Sequence, residues 1–245
     1  ETGMTELGGH AIHFLTETSH LDRGETLKDT ANVVSRYVDG VMARLYAHDE
    51  LVELAEHADV PVINGLTDKL HPCQALADLY TLREKDVDLD EAQLVFVGDG
   101  NNVAQSLIQV CAKLGVDITW TGPQGYEPDK ELIEHARSVG VDTGSSITVM
   151  HDPHQAVRDA DVVYTDVFES MGDDRSRKEL ERFRHYQVDE DLVETAGDPY
   201  IMHPLPAHRG EEITSDVLDS DNSIVYDQAE NRLHVQKGIL LKLLG

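Results

Sequence analysis

The sequence predicts an α/β protein built on parallel sheet, and three observations point there. Short apolar runs alternate with longer amphipathic stretches along all 245 residues, as successive β-α-β units require. That length exceeds what one small core needs, so two domains or one large α/β unit is expected. Finally, Lys85-Asp86-Val87-Asp88-Leu89-Asp90-Glu91 is charged and poor in apolar residues, and it follows a helical stretch. It marks the expected boundary between two lobes.

In chain order, the apolar runs place strands at Ala11 to Leu15, Gly40 to Arg44, Val60 to Asn64, Gln93 to Gly98, Asp117 to Thr121, Ser146 to Met150, Val162 to Asp166, Tyr200 to His203 and Ser223 to Tyr226. Helical spacing fills the gaps at Asp29 to Val38, Asp49 to Ala58, Pro72 to Glu84, Asn101 to Leu114, Asp129 to Ser138, Pro153 to Ala160, Arg175 to Arg184 and Gln228 to Leu244. Pro72 suits a first helical position, where its missing N–H would have been unpaired anyway. There are no repeats and no low-complexity tracts.

Charge narrows the partners. Twenty Lys and Arg against 47 Asp and Glu give a formal net charge of -27, a field that repels phosphate backbones and anionic membranes alike. Neither nucleic acid nor membrane is therefore an expected partner. The 40% hydrophobic content with clear periodicity argues for a folded chain. So large an acidic excess is a route to solubility in concentrated salt, which makes a halophilic source the expectation. Two cysteines, Cys73 and Cys111, are too few for a disulfide scaffold, and a reducing cytoplasm fits them. The apolar runs fall far short of the ~20 residues of a membrane-spanning helix.

Four strand ends carry groups with chemistry. His71-Pro72-Cys73-Gln74 opens a helix, so His71 and Gln74, a turn apart, can face one small ligand beside the positive end of the helix dipole. The bland alternative is a capping histidine and a solvated glutamine. Gly98-Asp99-Gly100-Asn101-Asn102 links a strand to a helix but lacks the third glycine of a dinucleotide fingerprint. No acidic residue ends the next strand, so an oxidoreductase is disfavoured. Its two asparagines can meet a ligand at a strand's carboxyl end, and one is expected to cap the helix. Asp166 ends another strand, where a carboxylate suits an ammonium group. His203-Pro204-Leu205-Pro206 runs from a strand end into a loop braced by two prolines.

Taken together and in order, these segments resemble the ornithine carbamoyltransferases. The likeness covers essentially the whole chain and rests on Glu1 to Gly9, Asp29 to Gly40 with Arg44, His71 to Gln74, Gly98 to Asn102, Asp166 to Gly172 and Ala229-Glu230-Asn231-Arg232. The resemblance implies two lobes, each a parallel sheet flanked by helices, with the active site in the cleft between them. Residues 1–85 would be the carbamoyl-phosphate-binding domain, incomplete at its N-terminus and completed by the C-terminal helix, 223–245. Residues 86–222 would bind ornithine. The C-terminal helix would pack beside the helices of residues 29–58. By the same resemblance, Arg44 and His71 hold the carbamoyl oxygen, Gln74 orients the carbamoyl amide, and Arg232 adds positive charge. Asn102, Asp166, Ser170 and Met171 would bind ornithine, with Asp166 facing its α-ammonium, while Pro204 and Leu205 lie near the reacting amine. His20 would reach a neighbouring subunit's phosphate, implying a homotrimer or a multiple of it. The partners are carbamoyl phosphate and L-ornithine, and no cofactor or metal is called for. His10 and His13 sit at strand spacing and most other histidines are scattered, which is no zinc pattern.

Two departures stand out. The family's Ser-x-Arg-Thr-Arg phosphate loop is expected just before Glu1, so this sequence reads as a fragment and, alone, as inactive; the first sheet would be truncated, with exposed edges. Pro204 replaces the usual cysteine, giving the His-Pro-Leu-Pro form of the sister aspartate carbamoyltransferases, with Leu205-Pro206 expected cis. The acidic strand end at Asp166 argues against aspartate as acceptor, leaving ornithine first and N-acetylornithine or putrescine next. A non-catalytic carbamoyltransferase-like subunit is the reading from another class.

The charge argument is testable in solution. The midpoint of thermal unfolding should rise steeply between dilute buffer and multimolar KCl, as screening relieves self-repulsion. Equal stability in both would remove the halophilic reading.

Overall fold

A computed structural model describes residues 1–14, 24–169 and 175–245. In chain order these form α1 (Thr2–Glu6), α2 (Leu27–Val34), β1 (Val41–Arg44), α3 (His48–His57), β2 (Val62–Leu66), α4 (Pro72–Glu84), β3 (Gln93–Val97), α5 (Asn102–Leu114), β4 (Asp117–Thr121), α6 (Lys130–Thr143), β5 (Ile147–Met150), α7 (Pro153–Ala156), β6 (Val162–Thr165), α8 (Arg177–Phe183), α9 (Glu190–Ala196), β7 (Tyr200–Met202), α10 (Ser215–Leu218) and α11 (Val225–Leu244). A 3-10 turn, Arg184–Tyr186, follows α8. None of the described helices is long and apolar enough to cross a membrane.

The strands form two parallel sheets: β1 with β2, and a five-stranded sheet ordered β5-β4-β3-β6-β7. From β3 the chain adds β4 and β5 on one side, then returns to add β6 and β7 on the other. The order therefore reverses between β3 and β6, and a crevice opens at the carboxyl ends of those two strands. Leu94, Phe96 and Tyr164 on one face, and Val95, Val97 and Val163 on the other, are essentially buried, as a sheet covered by helices on both sides demands. Phe96 and Tyr164 stack with ring centroids 5.4 Å apart. On one side the core continues through Leu107, Ile108 and Cys111 of α5 and Trp120 of β4.

The glycine turn after β3 is filled by the chain itself. A Cβ on Gly100 would lie 2.2 Å from the nitrogen of Pro128, and one on Gly122 would lie 2.0 Å from the carbonyl of Gly98. Gly100 N–H donates to the carbonyl of Tyr126 at 2.8 Å. Gly100 and Gly122 thus allow close backbone contact with the segment Gly122 to Pro128.

Three expectations need correction. Ala11 to Phe14 form no strand, and Leu15 lies outside the described residues. Ser223 makes one bridge to Ile201 beside β7, but the chain turns helical at Val225. Its β-branched residues there read as a strand, whereas Gln228 and Asn231 must face inward at helical spacing. Nor does α11 lie along α2 and α3. It packs on α4 and α1, with Lys237 ion-paired to Glu6 at 2.6 Å, and only its last turn reaches Gly40. The helix thereby ties the end of the chain to the segment that carries His71 and Gln74.

Candidate active site

Local irregularity aims the first residue. The β1–β2 register slips after Ala43, which pairs with Asn64, so that Arg44 pairs with Leu66 and Gly65 is the extra residue. A Cβ at Gly65 would come within 2.4 Å of the Met42 sulfur, so only glycine makes this bulge without displacing Met42. Arg44 is left exposed at the strand end, close enough to His71 for its charge to act on the imidazole.

His71 is the residue preceding α4, but its side chain does not cap that helix, and it is buried. Its backbone N–H donates to Ser106 Oγ at 2.6 Å, and its Nδ1 has no hydrogen-bond partner among the described residues. Burial first, and then the charges of Arg232 and Arg44, push its pKa down from 6.5 to about 3. A neutral imidazole between two guanidiniums can donate one hydrogen bond and accept another without adding charge.

Gln74 is buried as well, and both ends of its amide are engaged. Nε2 donates to Asp78 Oδ1 at 2.8 Å, while Oε1 accepts from Arg232 Nη1 on α11. Asp78, fully buried one turn later, also accepts from Gln228 Nε2 at 2.8 Å and from the Tyr164 hydroxyl at 3.0 Å. Burial pushes its carboxyl up to about 7 against the pull of those three hydrogen bonds and Arg232. Gln228 Nε2 additionally donates to Tyr164 at 3.1 Å, and its Oε1 accepts the His203 N–H at 3.0 Å. One glutamine thus touches α4, β6 and the end of β7.

Across the crevice, Asn101 caps α5 by accepting from the N–H groups of Val103 and Ala104 at 3.0 Å each. Its Nδ2 donates to Asp166 Oδ2 at 2.8 Å, joining the β3 and β6 ends at the point where the sheet order reverses. Asp166 Oδ1 accepts the Val167 N–H at 2.8 Å, and burial raises its pKa. Asn102 Nδ2 donates to the Thr67 carbonyl at 2.6 Å, and Gln105 Nε2 reaches the Lys69 carbonyl at 3.3 Å. With Ser106, these side chains at helical spacing clamp the loop between β2 and α4 to the top of α5.

The loop after β7 is held by a buried ring. Leu205 N–H donates to His203 Nδ1 at 2.9 Å, which leaves the proton on Nε2 to be donated to Glu212 Oε1 at 3.0 Å. The same oxygen accepts the His208 N–H at 2.6 Å. Leu205 sits at φ +53°, a left-handed backbone that costs a non-glycine residue about 1–3 kcal/mol. The ring contact to its own N–H holds it there. The Leu205-Pro206 bond is cis, as expected. Ligand atoms of His208, Glu211 and Glu212 also lie within 4.8 Å of one another, though Glu212 already serves His203.

The structure therefore gathers Arg44, His71, Gln74 and Arg232 around the mouth of α4, with Asn102, Asp166 and the Pro204-Leu205 loop at the neighbouring strand ends. His20, Ser170 and Met171 lie outside the described residues. Neither bland alternative survives, since His71 does not cap and Gln74 is not solvated. Asp78, Tyr164, Ser106, Glu212 and Gln228 escaped the sequence reading. The available signals were a carboxylate at i+4 from Gln74 in an apolar helix and a glutamine one turn before Arg232.

Comparison with known proteins agrees with this geometry. The carbamoyl-P binding domain of aspartate/ornithine carbamoyltransferase matches residues 1–84, and the Asp/Orn binding domain matches residues 90–243. An ornithine carbamoyltransferase of Pyrococcus horikoshii is 53% identical over 100% of this chain and 78% of its own length. A catabolic ornithine carbamoyltransferase of Halobacterium salinarum is 54% identical over 100% of this chain and 81% of its own. The solved ornithine carbamoyltransferase of Pyrococcus furiosus superposes with a TM-score of 0.96 at 52% identity, covering 100% of this chain and 79% of that one. Fold and site thus define a two-sheet α/β transferase. The chain belongs to the aspartate/ornithine carbamoyltransferase family.

The depressed His71 pKa has a sign and a window. Below 6.5 the unfolded chain takes up a proton that the folded one refuses, so His71 favours folding fully above pH 6.5 and loses that contribution as pH falls toward 3. Asp78 acts in the opposite sense, its contribution being complete below 3.8 and lost as pH rises through about 7. In an NMR titration the His71 ring protons should stay unshifted from pH 8 to pH 5. A transition near 6.5 would show a solvated imidazole and contradict the site geometry.

Proposed function

We propose that this protein transfers the carbamoyl group of carbamoyl phosphate to the δ-amine of L-ornithine, giving L-citrulline and phosphate. The observation that carries the reading is the convergence, beside the point where the sheet order reverses, of a buried His71 within reach of the charges of Arg232 and Arg44 with a fixed amide at Gln74. Kinship of about half identity to ornithine carbamoyltransferases supports the same substrates.

The chemistry follows from charge. An uncharged amine attacks the carbonyl carbon, so negative charge grows on the carbonyl oxygen and on the departing phosphate. Arg44 and His71 donate to that oxygen, Gln74 accepts from the carbamoyl NH2, and Arg232 supplies positive charge toward the phosphate. Asp166, joined by Asn101, receives the ornithine α-ammonium, and Asn102, Ser170 and Met171 are the further residues assigned to ornithine; Pro204 and Leu205 present backbone carbonyls beside the reacting amine. Residues 1–85 with 223–245 serve the donor and residues 86–222 the acceptor. The protein works without a cofactor in the cytoplasm of a salt-adapted organism, as a homotrimer or a multiple of it, with His20 reaching a neighbour's site. A second reading, transfer to N-acetylornithine, putrescine or aspartate, rests on Pro204 in place of cysteine; the buried acid Asp166 disfavours aspartate.

A citrulline-formation assay on the full-length protein tests this. Arg44→Ala should cost about 3 kcal/mol of transition-state stabilisation, more than a hundredfold in kcat/KM, with stability little changed. Asp166→Asn should weaken ornithine and leave carbamoyl phosphate nearly intact. Unchanged turnover in the first variant, or an equal loss of both ligands in the second, would refute these assignments.

A further inference from the structure

We propose that Asp78 is a positioning residue that decides which end of the Gln74 amide meets the donor, and so makes the site selective for a carbamoyl over other acyl phosphates. The inference rests on the carbamoyl-transfer reading and deepens it. Gln74 could in principle present either its carbonyl or its NH2 to the cleft, since the two ends have nearly the same shape. Only the carbonyl can accept from a carbamoyl NH2.

Three features remove the ambiguity. First, the partners of Asp78 among the described residues all donate: Gln74 Nε2, Gln228 Nε2 and the Tyr164 hydroxyl. Both carboxyl oxygens are taken up as acceptors, Oδ1 by the two glutamine NH2 groups and Oδ2 by the tyrosine hydroxyl, so the NH2 end of Gln74 faces inward. Second, Asp78 cannot turn away, because Gln228 and Tyr164 hold it from α11 and β6, and Gln228 is itself fixed by the Tyr164 hydroxyl and the His203 N–H. All four side chains, Gln74, Asp78, Tyr164 and Gln228, are at most 1% exposed. Third, Arg232 only donates and sits on the other end of the amide, so both neighbours demand the same orientation. The Gln74 carbonyl has two lone pairs, and one remains for the ligand's NH2 after Arg232 is served. An acyl phosphate with a methyl group in place of NH2 would leave that lone pair unmet.

The test compares ligands that differ only at this contact. Dissociation constants for carbamoyl phosphate, acetyl phosphate and inorganic phosphate are measured by isothermal titration on the full-length protein and on Asp78→Leu and Asp78→Asn. Asp78→Leu should weaken carbamoyl phosphate about tenfold, the worth of one hydrogen bond, and narrow its advantage over acetyl phosphate by the same factor. Inorganic phosphate should change less than twofold. Asp78→Asn, which keeps an oxygen acceptor in place, should recover most of the loss. An unchanged carbamoyl to acetyl ratio in Asp78→Leu, or a proportional loss for all three ligands, would overturn the inference. If the leucine variant fails to fold, the wild-type protein decides by NMR. The Gln74 side-chain NH2 should be strongly protected from hydrogen exchange and stay so when carbamoyl phosphate binds, and rapid exchange in either state would refute its inward orientation. Should the wild type itself fail to prefer carbamoyl over acetyl phosphate, the functional reading and the selectivity assigned to Asp78 fall together, whereas a wild-type preference that Asp78→Leu leaves intact overturns the inference alone.

Discussion

The hydrogen bond between Gln228 and Asp78 is the contact on which the arrangement of the two sheets depends. Asp78 is a carboxyl group with no exposure, and such a group is tolerated only when its lone pairs are met. Gln228 meets one of them from a helix 150 residues further along the chain, and the same side chain reaches Tyr164 and the backbone of His203. Asn231, three residues on, repeats the device by donating to Thr81 and Glu84. A helix that had only to cover apolar surface could slide along α4. Buried polar pairs with fixed partners give it one register, and that register delivers Arg232 to Gln74.

Electrostatics then divides the molecule. The exterior carries most of the -27 formal charge, a field hostile to any anion. The mouth of α4 is the exception, with Arg44, Arg232 and a histidine whose pKa is lowered first by burial and then by the two guanidiniums. An anionic donor bound there would be held by local charge in a partly dry site, where screening by bulk salt is weakest. Opposite lies Asp166, buried and raised in pKa, suited to a cationic acceptor. Basic and acidic side chains thus stand at neighbouring strand ends.

Much of the fold was legible in the sequence because it rests on local periodicity. Pro72 to Glu84 and Asp117 to Thr121 were placed to the residue, since proline at a helix start and a strand bounded by glycines are local signals. Short helices such as Ser215–Leu218 and Glu190–Ala196 were missed because their faces are set by what they pack against. The candidate side chains of the site could be named from resemblance and strand-end position. Asp78, Tyr164 and Gln228 could not, since each matters through a partner brought from a distant part of the chain. The Gly98-Asp99-Gly100 turn shows the converse. Its glycines were visible, but only the folded chain reveals that Gly100 makes room for the backbone of Glu127 and Pro128.

The central claim is that Asp78 and Gln228 act as a unit joining the two halves of the site, and a double-mutant cycle measures that directly. Equilibrium unfolding of Asp78→Leu, Gln228→Leu and the pair gives their coupling energy. Each single variant strands a buried polar partner at a cost of about 1–3 kcal/mol, whereas the double variant removes both sides of the contact. The double variant should therefore be at least ~1 kcal/mol more stable than the sum of the single losses implies. Losses that add to within ~0.5 kcal/mol would mean that the two residues stabilise the protein independently, and the account of a shared interlock would be wrong.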